Sequence, residues 1–320
     1  MTPKEAIAKT QSELKANESK WVDRFTEYIS KSVKNVDSIV AKRKKFHKWG
    51  NLSVYFTIGR AKDDSSSFDL RYQGQSVGEI RVHKNGEIIL AISETQFKNN
   101  TNEKYLVGYP KDICAAGTYK WDSKEAAAFR KYFKNNPGKS GHPEHKYENL
   151  LLKELSSDSS AEKSLTGIQP VTIGTKTDLF FQMPTPLTAS GSDIVYSDGH
   201  GGIDILARRN GRLTVLELKD EFNENEGPDK VITQAIAYAT FIVELCNTKA
   251  RDDFWKLCGF NNIPTGKETI NVSILMPEGK EVVNPEFAGE VLSVPGSDMK
   301  LELNYIFFDK EKVKITRASF

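Results

Sequence analysis

Residues 201–220 read GGIDILARRNGRLTVLELKD, and this stretch decides the fold. Two strand-like runs flank Asn210-Gly211, a dipeptide that suits a two-residue hairpin turn because both residues tolerate positive φ. Such a turn sets the register. Arg209 then faces Arg212, and further along the same ladder Asp204 lies across from Glu217. Opposed residues have Cβ atoms about 5 Å apart and share a face of the sheet. Period-two alternation brings Lys219 to that face, turns Leu216 and Leu218 away into a core, and sets Gly202 across from Lys219 with room beside it.

Two directly opposed carboxylates repel each other. A hard divalent cation between them turns repulsion into binding, and Mg²⁺ favours sites of one or two carboxylates completed by water and substrate phosphate. Such an ion polarises a phosphate and acidifies a bound water. Lys219 on the same face would orient the attacking water or offset charge on the transition state. An ordinary half-exposed hairpin also carries Glu and Lys two apart. The nearly continuous apolar run LTVLELK argues against it, because charges set in a doubly buried strand need a reason.

Outward from the hairpin, EHKYENLLLKEL sets Tyr147, Leu151 and Leu155 on one helical stripe with Leu152 beside it. Strand-like segments lie at 177–183, 203–209 and 212–219, an apolar helix at 229–246, and INVSILMP and LELNYIFFD read as two more strands. Helix, three strands, helix, then strands is an α/β layered pattern.

The first half reads differently. Residues 3–34 have helical periodicity in two pieces, with Trp21, Val22, Phe25, Tyr28 and Ile29 as a buried stripe. Residues 42–49, KRKKFHKW, interleave basic side chains with Phe46 and Trp49, which suits phosphates and bases, or a solvated face with two tucked rings. Residues 51–94 read as a β-meander, with Asn85-Gly86 as a second hairpin turn in which both residues take positive φ. A helix at 122–134 opens on Asp122, with Glu125 in a capping-box arrangement. NNPGKSGHP at 135–143 is the best linker in the chain. The expected organisation is a basic α+β domain at 1–134, a linker at 135–142 and an α/β domain at 143–320.

Charge follows the same division. Residues 1–150 carry 27 Lys and Arg against 18 Asp and Glu, while residues 151–320 carry 18 against 25. A basic half suits a polyanion and an acidic half suits cations. At 38% hydrophobic and 28% charged residues, with no run long enough to span a bilayer, the chain reads as soluble and globular. Its first residues lack a secretory core. Cys114, Cys246 and Cys258 form no CxxC pair, so neither a disulfide framework nor a zinc site is expected. A cytoplasmic setting, no membrane partner and a homodimer are the expectations.

The hairpin resembles the PD-(D/E)XK nuclease superfamily: GID with Asp204, twelve intervening residues, then ELK with Glu217 and Lys219. Ile203 stands where that family often has Pro. The resemblance implies a restriction-endonuclease-like mixed sheet flanked by helices over roughly 143–309. It also implies an acidic residue on the preceding helix, Glu148 or else Glu144, as a further metal ligand beside Asp204 and Glu217. QAIAY places Gln234 and Tyr238 on one helix face, similar to the Q-x-x-x-Y element of the lambda-exonuclease and RecB-type branches. GxxD before a hairpin and VLELK also looks like the mismatch-endonuclease branch. The implied activity is Mg²⁺- or Mn²⁺-dependent hydrolysis of nucleic acid, with DNA favoured over RNA. Two other readings compete: a nuclease-fold DNA-binding or scaffold protein that no longer cleaves, and a protein whose N-terminal domain binds another protein. His200 in DGHGG, His142, His145 and the acidic run at 220–226 beginning with Asp220 are lesser candidates and read as solvated loop or surface residues.

Overall fold

The computed structural model describes residues 1–35, 52–58, 65–72, 75–83, 85–101, 115–135, 147–148, 150–151, 166–173, 177–179, 181–190, 192–219, 228–260, 266–278, 285–312 and 314–319. In chain order the elements begin with helices α1 (Pro3–Ala16) and α2 (Glu18–Lys34). Strands β1 (Leu52–Thr57), β2 (Ser66–Tyr72), β3 (Gln75–Val82) and β4 (Ile88–Ile92) follow. Helix α3 (Glu94–Thr101), strand β5 (Gly117–Lys120) and helix α4 (Lys124–Asn135) come next. Then come β6 (Ile168–Ile173), β7 (Thr177–Leu179), β8 (Phe181–Ala189), β9 (Ile194–Arg209) and β10 (Arg212–Leu218). Helices α5 (Pro228–Cys246) and α6 (Arg251–Leu257) precede β11 (Thr269–Pro277), β12 (Val291–Ser293), β13 (Lys300–Asp309) and β14 (Lys314–Ala318).

Two compact units divide the chain, and the division differs from the expected split at 135–142. One unit joins Met1–Val33 to Leu151–Phe320, and the other is Lys34–Leu150. The physical reason lies in the amphipathic stripe of α2. Its buried Trp21 and Phe25 stack edge-on against Phe241 of α5, with ring centroids 5.6 and 5.0 Å apart. Gln11 of α1 donates to Glu244 of α5 at 2.6 Å and to the Pro295 carbonyl at 2.8 Å. Apolar surface on the first helices is therefore buried against the last half of the chain. The expected linker lies mostly outside the described residues. The charge asymmetry survives the new division: 34–150 carries 21 Lys and Arg against 13 Asp and Glu, and the remainder carries 24 against 30.

The larger unit is a mixed α/β structure. Its strands run β12-β13-β11-β10-β9-β8, with β14 also on β13, β6 on β9 and β7 on β6. Strands β10, β11 and β13 are parallel, and β8, β9 and β10 are antiparallel. A parallel pair needs a long crossover, which α5 and α6 supply between β10 and β11. Helix α5 is buried on nearly all sides, which explains its apolar composition.

Strand β9 corrects the reading of DGHGG as a loop, for the strand runs unbroken from Ile194 to Arg209. Polar and glycine residues hid it because the strand half at 194–202 shows little apolar alternation. Its pairing with β8 shifts register between Thr185 and Leu187. That irregularity brings the Leu187 carbonyl over Gly201, where a Cβ would fall 1.6 Å from the oxygen. Only glycine fits there.

The second unit is a five-stranded antiparallel meander, β1 through β5 in sequence order. Helix α4 packs on one face through Phe129 and Phe133, and an added Cβ at Gly78 would meet Phe129 at 3.3 Å. The cap of α4 is Ser123, which accepts from the Ala126 N–H, one residue later than the expected Asp122.

Candidate active site

The β9–β10 turn has Asn210 at φ 49° and Gly211 at φ 76°, the two positive values that a two-residue hairpin of this kind requires. Asn210 is the one non-glycine residue with positive φ among the described residues. Arg209 pairs with Arg212, and the ladder continues to Ile205 with Leu216. The ladder ends at that pair, and Asp204 falls where β9 slips one residue against β8, between Ile203 and Leu206. There a side chain takes over from the main chain: the Leu218 N–H donates to Asp204 Oδ2 at 3.1 Å. On the opposite side of β10, the Lys219 N–H donates to the Leu275 carbonyl of β11 at 2.9 Å. Asp204 and Lys219 are thus tied to neighbouring strands through the β10 backbone.

Glu217 is 2% exposed, whereas a quarter of the Lys219 side chain is open to solvent. Lys219 Nζ lies 3.6 Å from Glu217 Oε1, so the cation sits beside the buried carboxylate and reaches outward. Leu216 and Leu218 are buried on the other face, as alternation requires. A lone buried carboxylate is costly, and Lys219 offsets part of that cost.

Helix α5 adds Gln234 and Tyr238. The Gln234 amide donates to the Tyr238 hydroxyl at 3.4 Å. Burial pushes the Tyr238 hydroxyl well above the usual tyrosine range, and the negative charges of Glu217 and Asp204 act in the same direction. Asp204, Glu217 and Lys219 on the hairpin and Gln234 and Tyr238 on the helix belong to the same unit.

Glu148 belongs to the other unit. There Arg71 Nη1 donates to both of its carboxylate oxygens, at 3.0 and 3.2 Å, and Arg71 Nε donates to Asp69 at 2.8 Å. Tyr55 lies under the guanidinium at 4.6 Å. Burial alone would lower the Arg71 pKa, but the Glu148 and Asp69 carboxylates outweigh it and raise the pKa. Burial and the Glu148 charge push the Tyr55 hydroxyl up. Among the described residues no group of three or more His, Cys, Asp or Glu is placed to hold a metal ion. Glu144, His142, His145 and the acidic run from Asp220 lie outside the described residues, while His200 falls within β9.

Sequence reading missed the role of β11. INVSILMP reads as a strand, but its pairing with β10, and hence the Leu275 carbonyl that fixes Lys219, has no local signal. Asp204 and Glu217 carry hard carboxylate oxygens of the kind Mg²⁺ or Mn²⁺ takes.

Comparison with protein-family models, with curated proteins and with solved structures returned no match. Among the described residues no helix is long and apolar enough to cross a membrane.

Proposed function

We propose that the chain is a metal-dependent phosphodiesterase acting on DNA, of the PD-(D/E)XK type, with a restriction-endonuclease-like core in its larger unit. The observation that carries this reading is the group of side chains at the end of the β9–β10 hairpin, where Lys219 Nζ lies 3.6 Å from Glu217 Oε1 and Asp204 accepts from the Leu218 N–H. The mixed sheet, the antiparallel β8–β9–β10 run and the helix after the lysine strand support it.

Asp204 and Glu217 would hold Mg²⁺ or Mn²⁺, and the bound ion would supply charge neutralisation and an acidified water. Glu148, the further ligand that the resemblance implies, takes Arg71 within its own unit. Lys219 holds a proton at Nζ, donates it as a hydrogen bond to water or to a phosphate oxygen, and keeps its positive charge next to the developing negative charge. The Leu218 N–H that Asp204 accepts would help hold its carboxylate in place. Tyr238 stays protonated through the physiological range, with its hydroxyl accepting from the Gln234 amide.

The second reading is a nuclease-fold DNA-binding or scaffold protein that does not cleave. The Lys219–Glu217 ion pair and the two-carboxylate donor set favour it, because a pair closed on itself serves stability as well as chemistry. The deciding experiment is incubation of purified protein with linear, circular and single-stranded DNA in Mg²⁺ or Mn²⁺, beside Lys219→Ala. Metal-dependent cleavage lost in Lys219→Ala supports hydrolysis. Cleavage at the wild-type rate in that variant overturns the mechanism. DNA binding that weakens steeply with salt but without cleavage supports the second reading.

A further inference from the structure

Strands β10, β11 and β13 carry polar side chains where a doubly covered parallel sheet calls for apolar ones. Thr214, Asn271, Ser273 and Asn304 are all 0% exposed. The register sets them on one face of the sheet. Thr214 pairs with Asn271, and Ser273, two residues further along β11, pairs with Asn304. On the other face, Val272 pairs with Leu303, and both are ordinary buried apolar residues.

Hydrogen bonds satisfy only part of this polar patch. The Asn271 amide donates to the Thr214 hydroxyl at 3.2 Å, and the Asn304 amide donates to the Glu302 carbonyl at 3.1 Å. A carbonyl only accepts, so that contact fixes which end of the Asn304 amide is the oxygen. Asn271 Oδ1, Asn304 Oδ1 and Ser273 Oγ are left, buried and without a hydrogen-bond partner among the described residues. A buried polar atom with no partner carries its full desolvation cost. What is left is specific: two amide oxygens, which only accept, and one hydroxyl, which can donate. The complement is a guest with two donors and an acceptor, which is a water molecule. A cation would suit the same three oxygens, but Glu302, in register beside Asn271, is taken by Arg212. A buried charge without a counter-charge costs far more than a neutral guest.

We infer that an internal water is bound between β11 and β13, donating to Asn271 Oδ1 and Asn304 Oδ1 and accepting from the Ser273 hydroxyl. Neighbouring strands lie about 4.8 Å apart, and one water bridges polar atoms up to about 5.5 Å apart. Three protein contacts are the usual complement of an internal water. Leu275, two residues beyond Ser273, gives its carbonyl to the Lys219 N–H. The water thus ties to β13 the strand that seats Lys219. The site stands whether or not the chain hydrolyses DNA.

The test uses the full chain. A crystal structure of the wild type should show one ordered water within hydrogen-bond distance of all three atoms. Magnetic relaxation dispersion of the solvent should count one fewer long-lived water in Asn304→Leu than in wild type. Ser273→Ala removes the hydroxyl that the water accepts from, and its melting temperature should fall by about 2–4 °C. The sign of that shift is decisive. Were the three atoms unpaired in solution, deleting one would relieve a buried polar group and the variant would melt at the same or a higher temperature. That outcome overturns the inference. So do side chains that pair with one another in the crystal, or an unchanged count of long-lived waters. An anomalous signal at the site after exchange into thallium would make the guest a cation and overturn it too. Should Asn304→Leu fail to fold, Ser273→Ala and the wild-type crystal still decide the matter.

Discussion

The two units each contain a hairpin closed by Asn-Gly, and the same dipeptide folds in two ways. At Asn210-Gly211 both residues have positive φ, and the flanking Arg209 and Arg212 pair directly. At Asn85-Gly86 only the glycine does, at 83°. There the His83 N–H bonds to the Glu87 carbonyl and the Gly86 N–H to the His83 carbonyl, while the Asn85 side chain accepts from the Glu87 N–H. This is a longer loop built on a turn with a left-handed glycine, of the three-residue kind. The expectation of two positive φ values at Asn85-Gly86 is therefore corrected. A two-residue turn there would pair Arg81 with Leu90, but Arg81 pairs with Ile89. One residue of slip exchanges the faces of a strand, so Leu90 goes inward under α4 rather than outward beside Arg81. The dipeptide announces a hairpin, and the pattern of apolar residues around it chooses the register.

The largest expected effect tests the register that carries chemistry. Asp204→Ala, Glu217→Ala and Lys219→Ala should each lower cleavage by at least about 100-fold, the scale for losing one preorganised electrostatic group in an active site. Circular dichroism should show an intact fold. Full activity in any of the three would mean that the opposed positions on this hairpin are not the working face.

A smaller effect separates metal binding from architecture at Asp204. Its carboxylate repels Glu217 but also accepts from the Leu218 N–H. Asparagine keeps an acceptor and removes the charge, so Asp204→Asn should melt at the same or a higher temperature than wild type in chelator. Saturating cation stabilises wild type by about 2.7 kcal/mol at a hundredfold excess over Kd, and the variant should lose most of that shift. A variant strongly destabilised in chelator, with an undiminished metal shift, would make Asp204 a structural acceptor and move the cation elsewhere.

The turns themselves can be set against each other. Asn210→Ala forces a non-glycine residue without a helpful side chain into the left-handed region, at a cost of about 1–2 kcal/mol. Asn85→Ala loses one exposed hydrogen bond and should cost well under about 1 kcal/mol. Urea midpoints measured side by side should rank them in that order, and the reverse order would break the distinction.

The smallest effect lies in the larger unit alone. Burial pushes the Cys246 thiol up to about 12 and holds Cys258 well above its usual value. Both folded values lie above the unfolded ones. The stability they contribute is full below the unfolded pKa near 8.5 and is lost as pH rises toward 12. Between pH 8 and 9 each thiol should lower stability by less than about 1 kcal/mol. Melts across that interval should flatten in Cys258→Ala, and an unchanged slope would assign the alkaline sensitivity to other groups.

Much of the site was legible because it is local. A turn dipeptide and a short span of chain suffice to pair Arg209 with Arg212 and Ile205 with Leu216, and helical spacing suffices to pair Gln234 with Tyr238. Nonlocal features were not. Nothing in INVSILMP announces that Leu275 will hold Lys219, and nothing near Glu148 announces Arg71. The first half of β9 escaped notice because its alternation is interrupted by Ser197, Asp198 and three glycines. The division into units escaped because the apolar stripe of α2 states that it will be buried, not against what.

The discontinuity of the larger unit has a consequence for birth on the ribosome. Trp21 and Phe25 leave the exit tunnel long before Phe241 exists. At typical elongation rates of about 5–20 residues per second, the wait is roughly 10–40 s. During it the meander unit, which is continuous in sequence, can fold on its own schedule, while the amphipathic α2 must keep an aromatic face without its final partner. A nascent-chain pulse-labelling experiment should therefore find the meander protected first and the N-terminal helices last, although they were made first.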